Sequence, residues 1–149
     1  MAHTVRRAVA ADIPAIVHML ADDELGATRE NPDDLTRYDA AFEIIDADPH
    51  QHLVVAVDGE TVIGTLQLTV VPGLSRNGMS RALIEAVRVH RNARGAGLGG
   101  NLIEWAISRA RELDCGLVQL TSDITREDAH RFYERLGFVR SHYGYKFQL

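Results

Sequence analysis

The chain is short of cysteine and of long apolar runs. Its single cysteine, Cys115, cannot form an intrachain disulfide and offers no partner for a cysteine-rich metal site. No apolar run reaches the roughly 18 residues of a membrane-spanning helix, and the opening MAHTVRR lacks the apolar stretch of a signal peptide. We therefore expect a cytoplasmic protein with no membrane partner.

A surplus of basic residues is also missing. The formal net charge is -5, whereas proteins that bind nucleic acids usually carry a basic surplus or a basic stripe. The composition therefore favours a small cationic partner over a nucleic acid, although mild acidity also serves solubility alone.

The length and composition are those of one globular domain. With 149 residues, 46% hydrophobic and 25% charged, the chain can bury a core but is short for two ordinary domains. We predict a single domain over residues 1–149.

The first third of the chain predicts a short strand and two helices. Thr4 to Ala8 can form the strand, and Asp12-Ile13-Pro14 is typical of a helix start with a capping carboxylate. A second helix is predicted from near Pro32 until Asp48-Pro49 stops it. A polar loop, Asp22 to Asn31, is expected between them.

The remainder predicts strands and two further helices. Asp58-Gly59 is typical of a tight turn between two antiparallel strands. Ala82 to Val89 and Leu117 to Thr121 then form a parallel pair joined by a helix, and Glu127 to Leu136 forms the last helix, capped by Gly137. The alternation of Tyr143, Tyr145, Phe147 and Leu149 predicts a closing strand.

A glycine-rich stretch, Arg94-Gly95-Ala96-Gly97-Leu98-Gly99-Gly100, lies between a predicted strand and a predicted helix. At a helix start, free backbone N–H groups and the helix dipole form an anion site that glycines let a phosphate approach. The alternative is that these glycines only make a tight turn. The stretch lacks the Lys-Ser/Thr end of a Walker loop and the spacing of a dinucleotide fingerprint.

Here the sequence resembles the GNAT superfamily of acyl-CoA N-acyltransferases, in particular its small bacterial single-domain members. The family motif Arg/Gln-x-x-Gly-x-Gly/Ala corresponds to Arg94 through Gly99, and a second signature corresponds to Asp128 through Phe138. The resemblance implies an α/β fold with a mixed, mostly antiparallel sheet, a splayed parallel strand pair and about four helices. It also implies transfer of an acetyl group from acetyl-CoA to a primary amine.

The resemblance also implies which residues bind acetyl-CoA. The backbone of the strand before the loop would pair with the pantetheine arm, and loop amides would hold the pyrophosphate. The implied cofactor-binding residues are Val87, Arg88, Val89, Arg94, Gly95, Ala96, Gly97, Leu98, Gly99, Gly100 and Arg126. Many relatives have asparagine where this chain has Arg126, which puts that contact in doubt.

Two residues are candidate catalysts. By resemblance, Tyr133 is the general acid that protonates the leaving thiolate; the alternative is a core aromatic. Glu85 lies two residues before Val87 and four before Val89, so the regular alternation of a strand predicts that all three side chains share one face. Glu85 is therefore the candidate base that takes a proton from the amine. The alternative is a solvated or salt-bridged glutamate. Some relatives place a glutamate at the position of Thr121, which cannot act as a base.

The acceptor is left open by the sequence. Acidic residues between Asp22 and Asp39 are consistent with a polyamine or aminoglycoside, or with a solvated helix face, while Arg76, Arg81 and Arg88 are consistent with an anionic amine. A non-catalytic acyl-CoA sensor and a peptide acetyltransferase remain alternatives, and a homodimer is possible. The histidines complete no metal-ligand set, so no metal is expected.

Overall fold

A computed structural model of the protein describes residues 3–149. The chain divides into two compact units, of which the first ends at Gln119 and the second comprises Leu120–Leu149. A single domain over residues 1–149 stays a prediction.

The first unit is built on a mixed sheet of five strands in the order β1-β2-β3-β4-β5. The strands are β1 (Thr4–Arg7), β2 (Gln51–Asp58), β3 (Thr61–Val71), β4 (Arg81–Val89) and β5 (Leu117–Gln119). The neighbours from β1 to β4 are antiparallel, and β4 pairs with β5 in parallel. This is the mostly antiparallel sheet with one parallel pair that the sequence predicted.

Within the described residues 3–149, four helices have nine residues or more, as expected, and two are shorter. The helices are α1 (Ile13–Ala21), α2 (Glu24–Arg29), α3 (Thr36–Ala47), α4 (Ser75–Gly78), α5 (Leu98–Glu112) and α6 (Glu127–Arg135). The predicted polar loop contains α2, whose first turn is capped because the Gly26 N–H donates to the Asp23 carboxylate. Helix α3 begins at Thr36 rather than near Pro32. At this start, the Asp34 carboxylate accepts hydrogen bonds from the N–H and the hydroxyl of Thr36.

The role predicted for Asp12 was wrong. Its side chain makes no capping bond to α1, although α1 does begin next to it with proline in the first turn. The buried carboxylate instead accepts two bonds from the Arg6 guanidinium, at 2.7 and 3.0 Å, and one from the Val9 N–H at 2.8 Å. Because a buried charge needs a partner, Asp12 fixes β1 to the start of α1.

Helix α5 packs on one face of the sheet, against β3, β4 and β5. Leu66 and Leu68 of β3 are fully buried on this face, as is Leu102 of α5. Gly64 lies on the same face, where a Cβ atom would come 3.0 Å from Leu102 Cδ1. The absence of a side chain at Gly64 therefore lets α5 approach the sheet.

The opposite face is covered by α1 and α3. Ile13, Ile16 and Val17 of α1 form a buried cluster with Val55 of β2. No residue of α3 is buried; its apolar stripe of Leu35, Tyr38, Phe42 and Ile45 is only half-buried. Helix α3 thus lies over this face without filling it.

The second unit contains α6 and the C-terminal segment. Helix α6 ends at Arg135, and Gly137 follows with φ +100, which confirms its predicted capping role. The prediction of a closing strand was wrong. Residues 138–149 have no strand structure, and the side chains of Tyr143, Tyr145, Phe147 and Leu149 are exposed. Alternation makes a strand only where a neighbour supplies hydrogen bonds, and the described chain pairs none with this segment.

Candidate active site

Strand β4 continues after its pairing with β5 has ended. The parallel ladder joins Arg81, Ala82 and Leu83 to β5 and stops there, whereas β4 runs on to Val89. Ile84–Val89 are therefore not paired with β5 on that edge, which is the splayed arrangement that the sequence predicted. Ligands in sheets with parallel strands commonly bind where such neighbours diverge.

Strand β4 has a β-bulge in the part that is not paired with β5, and the bulge changes which side chains share a face. Glu85 pairs with Gln67 and Arg88 pairs with Thr65, so β4 has one more residue than β3 between these pairs. Ala86 in the bulge has φ +53.

The bulge overturns one prediction about Glu85. Paired residues share a face, so Glu85 and Arg88 lie on the face of α1 and α3, with Thr65 and Gln67. Val89 pairs with Gly64 and lies on the opposite, α5 face. Glu85 and Val89 do not share a face, because the extra residue reverses the alternation.

The glycine-rich loop leads into α5 with its first amides uncapped. Gly95 and Gly97 have φ +86 and +79, a region that suits glycine. Gly97 is the N-cap of α5 and provides no side-chain hydrogen bond, so the first-turn N–H groups of Leu98, Gly99 and Gly100 are left for another acceptor. Such a helix start attracts phosphate groups.

Arginines near this loop are paired with the acids at the end of α1. Asp22 accepts a hydrogen bond from Arg91, and Arg94 lies 3.6 Å from the same carboxylate. The Arg91 hydrogen bond holds the pKa of Asp22 below its ordinary 3.8. Asp23 pairs with Arg88 at 3.3 Å. Both aspartates, which the sequence offered as attractors of a cationic substrate, are thus already balanced by arginines.

Two carbonyl groups of β4 accept hydrogen bonds from arginine side chains. The Arg88 Nη1 group donates to the Val87 carbonyl at 2.9 Å, and the Arg94 Nε group donates to the Val89 carbonyl at 3.2 Å. These backbone groups belong to the strand that the family resemblance assigned to pantetheine.

A cavity of about 110 Å³ lies between α1, α3 and the sheet. Its lining is Ile13, Ile16, Val17, Leu20, Tyr38, Ala41, Phe42, Ile45, Leu53, Thr65, Gln67 and Ala86. Two lining residues belong to the bulge region: Ala86 follows Glu85 in β4, and Gln67 is its cross-strand partner. The exposed Glu85 therefore neighbours residues that line the cavity.

The second unit contains the other candidate catalyst. Tyr133 is half-buried on α6, with edge-on ring contacts to Phe132 at 5.2 Å and Phe138 at 5.9 Å. Arg126, at the start of α6, is exposed and donates its N–H to the Asp123 carbonyl. The aromatic contacts orient the Tyr133 ring, which is consistent with both the catalytic and the packing interpretation.

Other reactive groups have ordinary surroundings. Burial, together with Asp114, raises the pKa of the Cys115 thiol and so disfavours its thiolate.

Among residues 3–149, no group of three or more histidine, cysteine or acidic residues could hold a metal ion. Within that same range, no helix is long and apolar enough to cross a membrane.

The sequence did not reveal the cavity. Its lining comes from five elements that lie far apart in the chain, and the pattern of α3 gives no sign that the helix covers the sheet incompletely. The sequence does show that Leu35, Tyr38, Phe42 and Ile45 recur at helical spacing, which indicates the side of α3 that packs on the sheet but not that space remains beneath it.

Known proteins agree with this architecture. The acetyltransferase (GNAT) family model matches residues 14–138. An aminoalkylphosphonate N-acetyltransferase of Salmonella typhimurium is 34% identical over 96 residues, which are 64% of this chain and 62% of that protein. Human N-alpha-acetyltransferase 30 is 34% identical over 86 residues, 58% of this chain and 23% of that protein. The matched parts thus span less than two thirds of these relatives.

A solved structure agrees over nearly the whole chain. The transcriptional regulator from Bacillus halodurans C-125 has a TM-score of 0.96 and 47% identity, with 99% of this chain and 100% of that chain covered. Together with the family match over residues 14–138, which includes the splayed strand, the glycine loop and α6, these findings establish that this chain belongs to the GNAT acetyltransferase family.

Proposed function

We propose that the protein is an N-acetyltransferase that transfers the acetyl group of acetyl-CoA to a primary amine of a small molecule. One observation carries this proposal. The edge of β4 that β5 leaves unpaired runs into a glycine loop with uncapped helix amides, and members of the family use acetyl-CoA.

The residues present suit acetyl-CoA. The uncapped amides of Leu98, Gly99 and Gly100 match the acceptor oxygens of a pyrophosphate, and Arg91 and Arg94 add positive charge nearby. The backbone of Val87 to Val89 can pair with the amides of a pantetheine arm, once Arg88 and Arg94 release the two carbonyls. Acetyl-CoA itself brings an activated thioester.

The reaction that we propose is direct attack of the amine. Glu85 takes a proton from the ammonium group, directly or through a water molecule, so that the nitrogen lone pair becomes free. The nitrogen forms a bond to the thioester carbonyl carbon, and the carbon–sulfur bond breaks. Tyr133 gives its proton to the departing thiolate, and the acylated nitrogen releases its second proton to solvent. Solvent then reprotonates Tyr133 and takes the proton from Glu85, so the products are an amide and the free thiol of coenzyme A.

The role of Tyr133 has a direct test. Tyr133→Phe should lower kcat about a hundredfold while the Kd for acetyl-CoA stays unchanged, because only the proton donor is lost. Tyr143→Phe is the matched control, since Tyr143 is an exposed tyrosine of the same unit. Full turnover by Tyr133→Phe would assign this ring to packing alone.

Two relatives suggest other functions. The similarity to N-alpha-acetyltransferase 30 favours a peptide N-terminus as acceptor. The similarity to a Bacillus halodurans transcriptional regulator favours a regulatory role, and the regulatory role that we consider for this chain is that of an acyl-CoA sensor without catalysis. The aminoalkylphosphonate enzyme, matched over more of its own length, favours the small molecule. A cytoplasmic location and a homodimer remain predictions.

One assay separates these functions. Thiol release from acetyl-CoA is followed with simple amines, amino acids, aminophosphonates, polyamines, aminoglycosides and short peptides, each with an enzyme-free control. Saturable release with a small amine supports the proposal, and release with peptides alone supports the second function. Tight acetyl-CoA binding by calorimetry without any release supports the sensor, and no binding contradicts the proposed donor site.

A further inference from the structure

Each polar side chain that lines the cavity beneath α3 makes at least one hydrogen bond. Its lining contains no charged side chain, and only Tyr38, Thr65 and Gln67 carry polar groups. The Thr65 hydroxyl donates to the Val54 carbonyl at 2.8 Å, and the Gln67 amide donates to Gln51 Oε1 at 2.7 Å. The cavity therefore offers a ligand chiefly apolar contact.

The hydroxyl of Tyr38 is also engaged away from the cavity. It donates to Glu30 Oε1 at 2.9 Å and accepts from the Asn31 N–H at 2.8 Å. These bonds fix the ring at the segment between α2 and α3, so that its apolar part lines the cavity. A charged group placed against this lining would exchange part of its hydration for apolar contact and would meet no charged side chain.

Helix α3 leaves apolar surface for a ligand to cover. Tyr38, Phe42 and Ile45 line the cavity, yet each of them is only half-buried. An apolar ligand group would remove part of this surface from water, which is the main source of affinity in such pockets.

The cavity also adjoins the candidate base. Ala86 and Gln67 line the cavity, and they are respectively the chain neighbour and the cross-strand partner of Glu85. An ammonium group at the exposed carboxylate of Glu85 can therefore extend its substituent past Gln67 towards α3. The acids Asp22 and Asp23, by contrast, are paired with arginines.

We infer that the acceptor is a primary amine that carries a compact aliphatic or single-ring apolar group, which binds in the cavity between α1 and α3. This inference rests on the proposed function and specifies its substrate class. It disfavours polyamines and aminoglycosides, because their further ammonium groups would have to enter an apolar lining. A cavity near 110 Å³ suits a chain of about five carbons or one ring.

The first test compares amines of graded chain length. From ethylamine to n-pentylamine, kcat/KM should rise about fourfold for each added methylene. 1,5-Diaminopentane matches n-pentylamine in carbon number but adds a second ammonium group, and its kcat/KM should be at least about tenfold lower. A flat series, or a diamine or an aminobutylphosphonate that equals n-pentylamine, would overturn the inference.

The second test fills the cavity. Ala41 of α3 lines the cavity, whereas the adjacent Ala40 is also exposed but does not line it. Ala41→Phe should lower kcat/KM for n-pentylamine about tenfold more than it lowers kcat/KM for ethylamine, because only the longer substituent needs the filled space. Ala40→Phe should behave as the parent, and thermal unfolding checks that both variants fold. Equal behaviour of the two variants would overturn the inference.

A binding measurement separates this inference from the proposed function. If no amine is acetylated although acetyl-CoA binds, the proposed function fails. Saturation-transfer NMR with n-pentylamine then tests the cavity directly. A signal from its terminal methyl protons that Ala41→Phe abolishes and Ala40→Phe retains supports an apolar amine site; a missing signal, or one unaffected by Ala41→Phe, overturns it.

Discussion

The two faces of the sheet differ in how completely they are covered. On the α5 face, Leu66 and Leu68 meet Leu102 with no exposed surface, and even a methyl group at Gly64 would be crowded. On the opposite face, α3 has no buried residue and a cavity separates it from the strands. Both faces contain buried side chains, but only the second retains space for a ligand beside Glu85.

Truncation of large side chains should separate the faces most clearly. Leu102→Ala removes fully buried atoms and should lower the free energy of unfolding by about 3 kcal/mol. Phe42→Ala removes a larger but half-buried side chain beside an existing cavity and should cost only about 1–2 kcal/mol. Urea denaturation measures both, and equal losses would break the comparison.

Glu85 should show the opposite behaviour, with a loss of activity but not of stability. Glu85→Gln should lower kcat/KM for the amine about a hundredfold near neutral pH, because the proposed base is removed, while the exposed side chain contributes little to folding. Glu60→Gln, an exposed glutamate in the hairpin turn, is the control. A pH–rate profile of Glu85→Gln that overlays the parent's would remove Glu85 as the base.

Enlarged side chains should also distinguish the two faces of the sheet by their effect on stability. Gly64→Ala would place a Cβ atom 3.0 Å from Leu102 Cδ1 and 3.3 Å from the Arg88 carbonyl oxygen. We expect a loss of about 1 kcal/mol in the free energy of unfolding. Ala41→Leu on the cavity side should cost nothing measurable, because space is present. Chemical denaturation compares the two, and a larger cost at Ala41 would contradict the assignment of the faces.

A pH-dependent effect is expected at the ion pair that joins β1 to the start of α1. The Arg6 hydrogen bond lowers the pKa of Asp12 below its ordinary 3.8, aided by the Val9 N–H. A lowered folded-state pKa stabilises the protein above the unfolded pKa, and this contribution disappears as the pH falls through the folded value. The difference in free energy of unfolding between the parent and Asp12→Asn should therefore be constant above about pH 5 and should become smaller as the pH falls below 3.8. Thermal unfolding across this range measures it, and a difference that grows on acidification would contradict the pairing.

Much of the fold could be predicted because its signals are local. The Asp58-Gly59 turn, the glycine loop before α5 and the Gly137 cap each depend on a backbone conformation that a few neighbouring residues decide. Family membership was recognisable for the same reason, since both signatures are contiguous. The catalytic roles of Glu85 and Tyr133 stay predictions.

Errors arose where distant residues compete with local preferences. Asp12 has the residue type of a cap, but Arg6 and the Val9 N–H bind its carboxylate instead. The tail alternates as a strand does, but a strand also needs a neighbour. The bulge at Ala86 reversed the expected face of Val89, because pairing with β3 decides where an extra residue is accommodated.

The sequence by itself determined the order of the main elements, the glycine loop and the family, because these depend on the periodicity and backbone freedom of short segments. Only the tertiary structure decided which face Glu85 occupies, that arginines balance Asp22 and Asp23, and that α3 leaves an apolar cavity beside the bulge. Those features depend on strand register and helix packing between residues far apart in the chain, which no local pattern records.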